Sequence, residues 1–186
     1  MRLTIPTMLT LFRIALLPVM VIVFYAPFRG ANIAAATVFL AAALTDWLDG
    51  YIARRYDMGS PFGAFLDPVA DKLMVAVTLF LIVQENPTPL MAIVSAVIVG
   101  REITISALRE WMAELGQRTR VNVAVLGKVK TVMQIIAIEV LLYQHDLEGL
   151  RLFHVGEGVL LVAAVLTIWS GIEYLRAAWP AMRSNG

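Results

Sequence analysis

Apolar runs of about 20 residues alternate along this chain with short breaks that contain proline, glycine or charged residues. A run of this length allows a helix to cross the hydrocarbon core of a bilayer. We therefore predict six helices, at approximately residues 8–25, 31–56, 61–84, 90–116, 123–143 and 153–177. Residues 1–10 are predicted to form a short interfacial segment. The pattern indicates an all-α, polytopic membrane protein with six transmembrane helices.

The breaks carry residue types that end or begin helices. Pro27 and Gly30 follow the first run, where a proline or a glycine stops a helix. Between the second and third runs, Gly59 can adopt the left-handed conformation that ends a helix. Ser60 can cap the next helix, and Pro61 suits its first position.

The composition agrees with a membrane protein. Of the 186 residues, 60% are hydrophobic and 16% are charged, and the mean hydropathy is +0.78. Soluble domains are about 45–50% apolar and about 25% charged. The length suits one domain covering residues 1–186. Because the chain has no cysteine, disulfides, thiolate metal sites and cysteine nucleophiles are excluded.

Arginines are unevenly distributed between the two sides of the predicted bundle. One side has only Arg29 and Arg151. The other side carries Arg2, Arg54, Arg55, Arg109, Arg118, Arg120, Arg176 and Arg183. Since cytoplasmic loops are enriched in Lys and Arg, both termini and the turn between helices 2 and 3 are expected in the cytoplasm.

Four aspartates interrupt the apolar sequence on either side of that turn. Asp46 and Asp49 are spaced i, i+3, and Asp67 and Asp71 are spaced i, i+4, so each pair lies on one face of its helix. From the helix rise, all four lie roughly 9–16 Å from the turn, and the two antiparallel pairs can face each other. A charge inside a membrane costs about 2.5–3.5 kcal/mol by the mildest scale. The cluster therefore needs a compensating cation.

A cluster of carboxylates without histidine or cysteine is an all-oxygen site, which favours Mg²⁺ or Mn²⁺ over zinc. Four carboxylates are many for one Mg²⁺, so two ions that share an aspartate fit better, and such pairs serve phosphoryl transfer. The alternative is a purely structural cluster in which the aspartates pair with Arg54, Arg55 and Lys72.

The residues from Asp46 to Asp71 follow the pattern D-x2-D-G-x2-A-R-x8-G-x3-D-x3-D. This pattern resembles the signature of the CDP-alcohol phosphotransferase family at every fixed position. Three further stretches, IPTMLTLFR, REITISALREWMAELG and GKVKT, resemble the bacterial phosphatidylglycerophosphate synthases, a branch of that family. The resemblance implies a six-helix membrane fold, usually homodimeric, with two metal ions. It also implies that an alcohol displaces CMP from a CDP-linked lipid.

Carried onto this sequence, the resemblance assigns roles to the aspartates. Asp46, Asp49 and Asp67 would hold one metal ion, and Asp46, Asp67 and Asp71 the other. Asp71 would also be the general base, because a hydroxyl is a poor nucleophile until a carboxylate takes its proton. The CDP-lipid contacts would be Thr7, Thr10, Gly50, Ala53, Arg54, Ser60 and Gly63.

A second cationic set, on helices 4 and 5, is predicted to bind the phosphate of the acceptor. It consists of Arg101, Arg109, Lys128 and Lys130. Arg matches phosphate geometrically and Lys supplies a point charge, so glycerol 3-phosphate fits as the acceptor. In the alternative reading Arg101 pairs with Glu102 or Glu139, the lysines extend towards anionic headgroups, and Arg109 is salt-bridged or interfacial. Arg13 and Lys72 receive no role.

The expected activity is transfer of the phosphatidyl group from CDP-diacylglycerol to sn-glycerol 3-phosphate, with release of CMP. The site would face the cytoplasm from a bacterial cytoplasmic membrane, among membrane lipids, and no nucleic-acid partner is expected. Two alternatives stay open. The acceptor could be another molecule, such as inositol phosphate, or the intramembrane aspartates could form the conduction site of a divalent-cation carrier.

Overall fold

The computed structural model describes residues 4–56, 60–114, 124–143 and 152–184, and within these ranges the secondary structure is entirely α-helical. The helices are α1 Ile5–Phe24, α2 Ala31–Tyr56, α3 Pro61–Glu85, α4 Pro89–Glu114, α5 Ala124–Tyr143 and α6 Leu152–Ser184. The predicted all-α class is thus confirmed, and the predicted helices correspond one to one with those in the described ranges.

Two helix ends differ from the prediction. α1 already begins at Ile5, with Pro6 in its first turn, so most of the predicted interfacial segment is part of the first helix. α6 continues to Ser184, and the predicted end near residue 177 was wrong. Pro180 lies inside α6 but close to its end. A proline there removes one backbone hydrogen bond, and few residues follow it.

α3 begins as the sequence predicts. Ser60 is the N-cap of α3, and its hydroxyl oxygen accepts a hydrogen bond from the Gly63 backbone N–H at 3.0 Å. Pro61 occupies the first turn. Gly59, predicted to end α2, lies outside the described residues. In the turn between α1 and α2, Gly30 has a φ of 92°, a conformation that glycine adopts without strain.

Four helical segments in the described part of the chain are long and apolar enough to cross a membrane. They are Ile5–Phe24, Ala31–Ala53, Pro89–Glu114 and Leu152–Pro180. Large apolar side chains such as Ile22, Phe80 and Val165 are mostly exposed on the outside of the bundle, as expected where lipid replaces water. The protein is therefore a multi-pass membrane protein. Membrane crossing by α3 and α5 remains a prediction.

The bundle positions the polar residues through its packing order. α1 packs along α2 and α3, α5 packs along α6, and α4 contacts α3 and α6. A fully buried apolar core runs through the bundle and includes Met20, Leu79, Ile82, Met91, Ile98, Ile138, Leu141 and Leu160. Because α1 lies against both α2 and α3, its inner face meets both aspartate pairs.

Candidate active site

The inner face of α1 carries three polar side chains at spacings of three residues. Thr7, Thr10 and Arg13 are each no more than 1% exposed. Residues three apart lie on the same side of a helix, so these three form one polar stripe. A buried polar side chain is costly unless it is paired, and the partners of this stripe come from α2 and α3.

Arg13 lies among three of the four aspartates. Its guanidinium contacts Asp49 and Asp71, and Nη1 is 3.2 Å from Asp46 Oδ1. The Asp49 side chain is 3% exposed, whereas those of Asp46 and Asp71 are 48% and 43% exposed. The arginine therefore occupies the protein side of the carboxylate cluster. The sequence interpretation missed this role, although the spacing from Thr10 places Arg13 on the same face.

The fourth aspartate is bound by the same stripe. The Thr10 hydroxyl donates to Asp67 and also lies 3.1 Å from the Pro6 carbonyl oxygen. One turn earlier, the Thr7 hydroxyl oxygen is 2.8 Å from Ser60 Oγ. Of the two threonines that the sequence associated with the CDP-lipid, Thr10 therefore contacts an aspartate, and Thr7 contacts the Ser60 cap of α3.

Gly63 allows α1 and α3 to approach closely. A Cβ atom on Gly63 would lie 3.0 Å from both Thr7 Oγ1 and Ser60 Oγ. Any side chain would thus force these hydroxyls to move. On α2, Gly50 and Ala53 lie one turn beyond Asp46 and Asp49 and are partly buried. Arg54 belongs to the same helix, but its side chain lies outside the described part of the structure.

The carboxylate cluster has the donor chemistry of a site for hard divalent cations. Asp46, Asp49, Asp67 and Asp71 offer carboxylate oxygens, which Mg²⁺ and Mn²⁺ prefer. Among the described residues, no group of three or more acidic or histidine side chains has the arrangement of a metal site. The Arg13 guanidinium lies between three of these carboxylates and balances part of their charge. The donor types fit a divalent cation, and of the four aspartates only Asp49 is buried, whereas the other three are partly exposed.

A second charged cluster joins α4, α5 and α6. Arg101 Nη1 is 3.3 Å from Glu102 Oε1, and Lys130 Nζ contacts the same oxygen. Arg101 Nη2 donates to Ser170 Oγ at 2.8 Å. Of the two alternative partners considered for Arg101, Glu102 is therefore the one that it contacts. The other, Glu139, has its Oε1 buried without a hydrogen-bond partner.

Of the two lysines predicted to bind the acceptor, the structure describes the side chain of Lys130 but not that of Lys128. Lys130 is 5% exposed and paired with Glu102, so the alternative that it extends to lipid headgroups is wrong. Lys128 belongs to α5, but its side chain lies outside the described part of the structure. Its predicted contact with phosphate therefore stays a prediction.

A cavity of about 360 Å³ lies between α3 and α4, beside this cluster. Its lining includes three cations, Lys72, Arg101 and Arg109, and two acids, Glu102 and Glu110. The lining therefore has a net positive charge, and the volume suits a small anion. Lys72, which received no role from the sequence, follows directly after Asp71 on α3. The cavity and the carboxylate cluster thus share one helix.

Two contacts orient the cations of this cavity. The Arg109 guanidinium lies 5.4 Å from the centre of the Tyr174 ring, which is a cation–π distance. Lys72 Nζ donates to Ser106 Oγ. In the structure Arg109 is therefore stacked on an aromatic ring and exposed at the cavity wall, and its predicted contact with phosphate stays a prediction.

Comparison with known proteins gives consistent matches over nearly the whole chain. The profile of the CDP-alcohol phosphatidyltransferase family matches residues 3–169. A Pseudomonas fluorescens protein named CDP-diacylglycerol–glycerol-3-phosphate 3-phosphatidyltransferase is 49% identical over 184 residues, which cover 98% of this chain and 93% of that protein. Proteins of the same name from Salmonella typhimurium and Shigella flexneri are 48% identical over 178 residues, 96% of each chain. The matched range contains all four aspartates and the polar stripe of α1.

Proposed function

This chain belongs to the CDP-alcohol phosphatidyltransferase family, and we propose that it transfers the phosphatidyl group from CDP-diacylglycerol to sn-glycerol 3-phosphate. The product would be phosphatidylglycerophosphate, and CMP would be released. The proposal is supported by the names of relatives that are 48–49% identical over nearly the whole chain. The observation that carries it is that α3 contributes both to the carboxylate cluster, through Asp71, and to the cavity with a net positive lining, through the next residue, Lys72.

The family generally depends on divalent metal ions, and the four aspartates are the residues that would hold them. We propose two ions, Mg²⁺ or Mn²⁺, with Asp46, Asp49 and Asp67 on one and Asp46, Asp67 and Asp71 on the other. When bound, the ions would neutralise the pyrophosphate and the negative charge that gathers on CMP as it leaves.

Asp71 is the proposed general base. The acceptor hydroxyl oxygen would form a bond to the phosphorus that is esterified to diacylglycerol, and the bond from this phosphorus to the CMP oxygen would break. The hydroxyl proton would pass to the Asp71 carboxylate. The exposure of this side chain, 43%, supports the role because an acceptor can reach it.

The CDP-lipid contacts remain proposals. Thr7, Ser60 and Gly63 are in mutual contact at the interface of α1 and α3, and Thr10 bonds to Asp67. This proximity to the carboxylates supports a location for the cytidine diphosphate group. Three further proposed contacts lie on α2, and they are Gly50, Ala53 and Arg54.

Recognition of the acceptor phosphate is proposed for Arg101, Arg109, Lys128 and Lys130. The net positive charge of the cavity lining supports an anionic acceptor. Because Arg101 and Lys130 share Glu102, that acid would hold the two cations close together and offset their mutual repulsion. Lys72, a further cation in the cavity wall, is proposed to contribute to the same recognition.

The bacterial relatives support a location in the cytoplasmic, or inner, membrane. We propose that both termini and the carboxylate cluster face the cytoplasm, since the arginines are concentrated on that side. There the water-soluble acceptor can reach the site while the lipid substrate stays in the bilayer. A homodimer is proposed from the family resemblance.

The test is a CMP-release assay with purified protein, Mg²⁺ and CDP-diacylglycerol. Glycerol 3-phosphate, inositol 3-phosphate, serine and phosphatidylglycerol are supplied in separate reactions. CMP release is expected with glycerol 3-phosphate alone. Release with inositol 3-phosphate alone would establish the alternative acceptor. Mn²⁺ flux into liposomes without any CMP release would establish the carrier instead.

A further inference from the structure

The charged side chain of Arg13 is almost completely buried, so water does not solvate its charge. It is 1% exposed and lies in the first half of a membrane-spanning helix. A buried cation is destabilising unless opposite charges compensate it, and here the compensation comes from Asp46, Asp49 and Asp71. One side chain from α1 thereby connects two aspartates of α2 with one of α3.

The two faces of this arrangement differ in their access to solvent. On the buried side lie Arg13 and Asp49, at 2% and 3% side-chain exposure. Asp46 and Asp71 keep 48% and 43% of their side-chain surface exposed. Arg13 therefore approaches the carboxylates from inside the protein and leaves the outer side of Asp46 and Asp71 accessible.

Arg13 contacts each of the three carboxylates through one oxygen, and the second oxygen of each is left for another cation. The nearest contacts of the guanidinium are to Oδ1 of Asp46, Oδ2 of Asp49 and Oδ1 of Asp71. An ionised carboxylate has two oxygens and about four acceptor positions, so it can accept from an arginine and still bind a second cation. The planar guanidinium has several donors in a rigid arrangement, which suits contact with several carboxylates at once.

We propose that Arg13 is a positioning residue that holds Asp46, Asp49 and Asp71 in the orientation needed to bind the divalent cation. This inference rests on the proposed metal site. Residues behind a metal's ligands typically change metal affinity or activity about 10–100-fold when they are replaced. Loss of Arg13 should therefore weaken metal binding.

The alternative is that Arg13 merely occupies the cation's place, and this alternative predicts the opposite sign. If the guanidinium competed with the metal, its removal would free three carboxylates and lower the positive charge nearby. The cation would then bind more tightly, because like charges repel. The direction of the change in affinity thus separates positioning from competition.

The experiment measures Mn²⁺ affinity of the purified full-length protein by the electron paramagnetic resonance signal of free Mn²⁺, without substrates. The variants are Arg13→Gln, which removes the charge, and Arg13→Lys, which keeps the charge but has a single donor atom. Arg29→Gln is the matched control, because Arg29 is exposed in the turn between α1 and α2. Arg13→Gln should weaken Mn²⁺ binding at least about tenfold, Arg13→Lys should weaken it less, and Arg29→Gln should not change it.

Equal or tighter Mn²⁺ binding by Arg13→Gln would overturn the inference. If Arg13→Gln does not fold, Arg13→Lys decides: weaker binding supports positioning, and wild-type affinity overturns it. Failure of the proposed metal site looks different, because the wild-type protein itself would then bind no Mn²⁺. That result overturns the site and the role of Arg13 together.

Discussion

At the residue scale, the two charged clusters differ in how their buried charges are compensated. Arg13 is surrounded by several carboxylates, two of which remain open to solvent. Arg101 and Lys130 share the single acid Glu102, so this cluster has an excess of positive charge. The first arrangement leaves negative groups that can attract a cation, and the second leaves positive groups that can attract an anion.

Replacement of the proposed base tests the first cluster. Asp71→Asn should reduce the rate of CMP release by at least about 100-fold, because an amide cannot take the hydroxyl proton. Binding of CDP-diacylglycerol should be largely retained. Glu85→Gln is the matched control, since it makes the same change from acid to amide at the other end of α3. Wild-type turnover by Asp71→Asn would refute the assignment.

Replacement of Arg101 tests the second cluster. Arg101→Ala should raise the KM for glycerol 3-phosphate at least about tenfold and change the KM for CDP-diacylglycerol much less, because it removes a charged hydrogen-bond donor to phosphate. Ser170→Ala, which removes one hydrogen bond to Arg101 but keeps its charge, should have a smaller effect. Steady-state kinetics with each substrate varied separately measure both constants. Equal changes in the two KM values would indicate that Arg101 is structural.

At the element scale, the position of α1 decides the geometry of the carboxylate cluster. α1 is held against α3 by Thr7 with Ser60, by Thr10 with Asp67, and by the small size of Gly63. Helices in membranes approach most closely where small residues lie between them. The glycine of the signature therefore has a packing role, whatever it contacts in a substrate.

Substitution of this glycine should disturb the contact between α1 and α3. Gly63→Ala places a Cβ 3.0 Å from two hydroxyl oxygens and should lower stability by about 1–3 kcal/mol. Gly100→Ala on α4 is the matched control, because a Cβ there meets no atom within 4 Å, and it should cause no loss. Thermal unfolding in detergent compares the two variants. Equal unfolding temperatures would show that the contact at Gly63 relaxes without cost.

At the scale of the whole molecule, the bundle separates a lipid-facing surface from a polar interior near one end of α3. The proposed orientation puts that end in the cytoplasmic half of the membrane. Four segments in the described ranges meet the requirements for spanning, and α4 is one of them. With α3 also crossing the membrane, as proposed, the C-terminal ends of these two consecutive helices would lie on opposite sides.

Cysteine labelling can establish this orientation, since the natural chain has no cysteine. Asn86→Cys lies at the end of α3 and should react with a membrane-impermeant maleimide in intact bacterial spheroplasts. Glu114→Cys, at the end of α4, should react only after the membrane is opened. The reverse pattern would place the carboxylate cluster on the outer side and contradict the proposed location.

The sequence by itself determined the helices, the aspartate pairs and the family. Helix positions follow from runs of apolar residues, the Ser60 cap from local hydrogen bonding, and the spacing of Asp46 to Asp71 from helix periodicity. The resemblance to the family was confirmed by the match over residues 3–169. These features depend on residues close together in the chain, which is why a linear pattern contains them.

Only the tertiary structure decided what each buried charge contacts. Arg13 meets its aspartates across 33, 36 and 58 positions of the chain, and Lys130 meets Glu102 across 28. Lys72 lines the cavity because α3 packs against α4. Helix periodicity specifies the face on which a residue lies, but the neighbour of that face depends on how whole helices pack. For this reason the aspartates were predicted from the sequence, and the arginine between them was not.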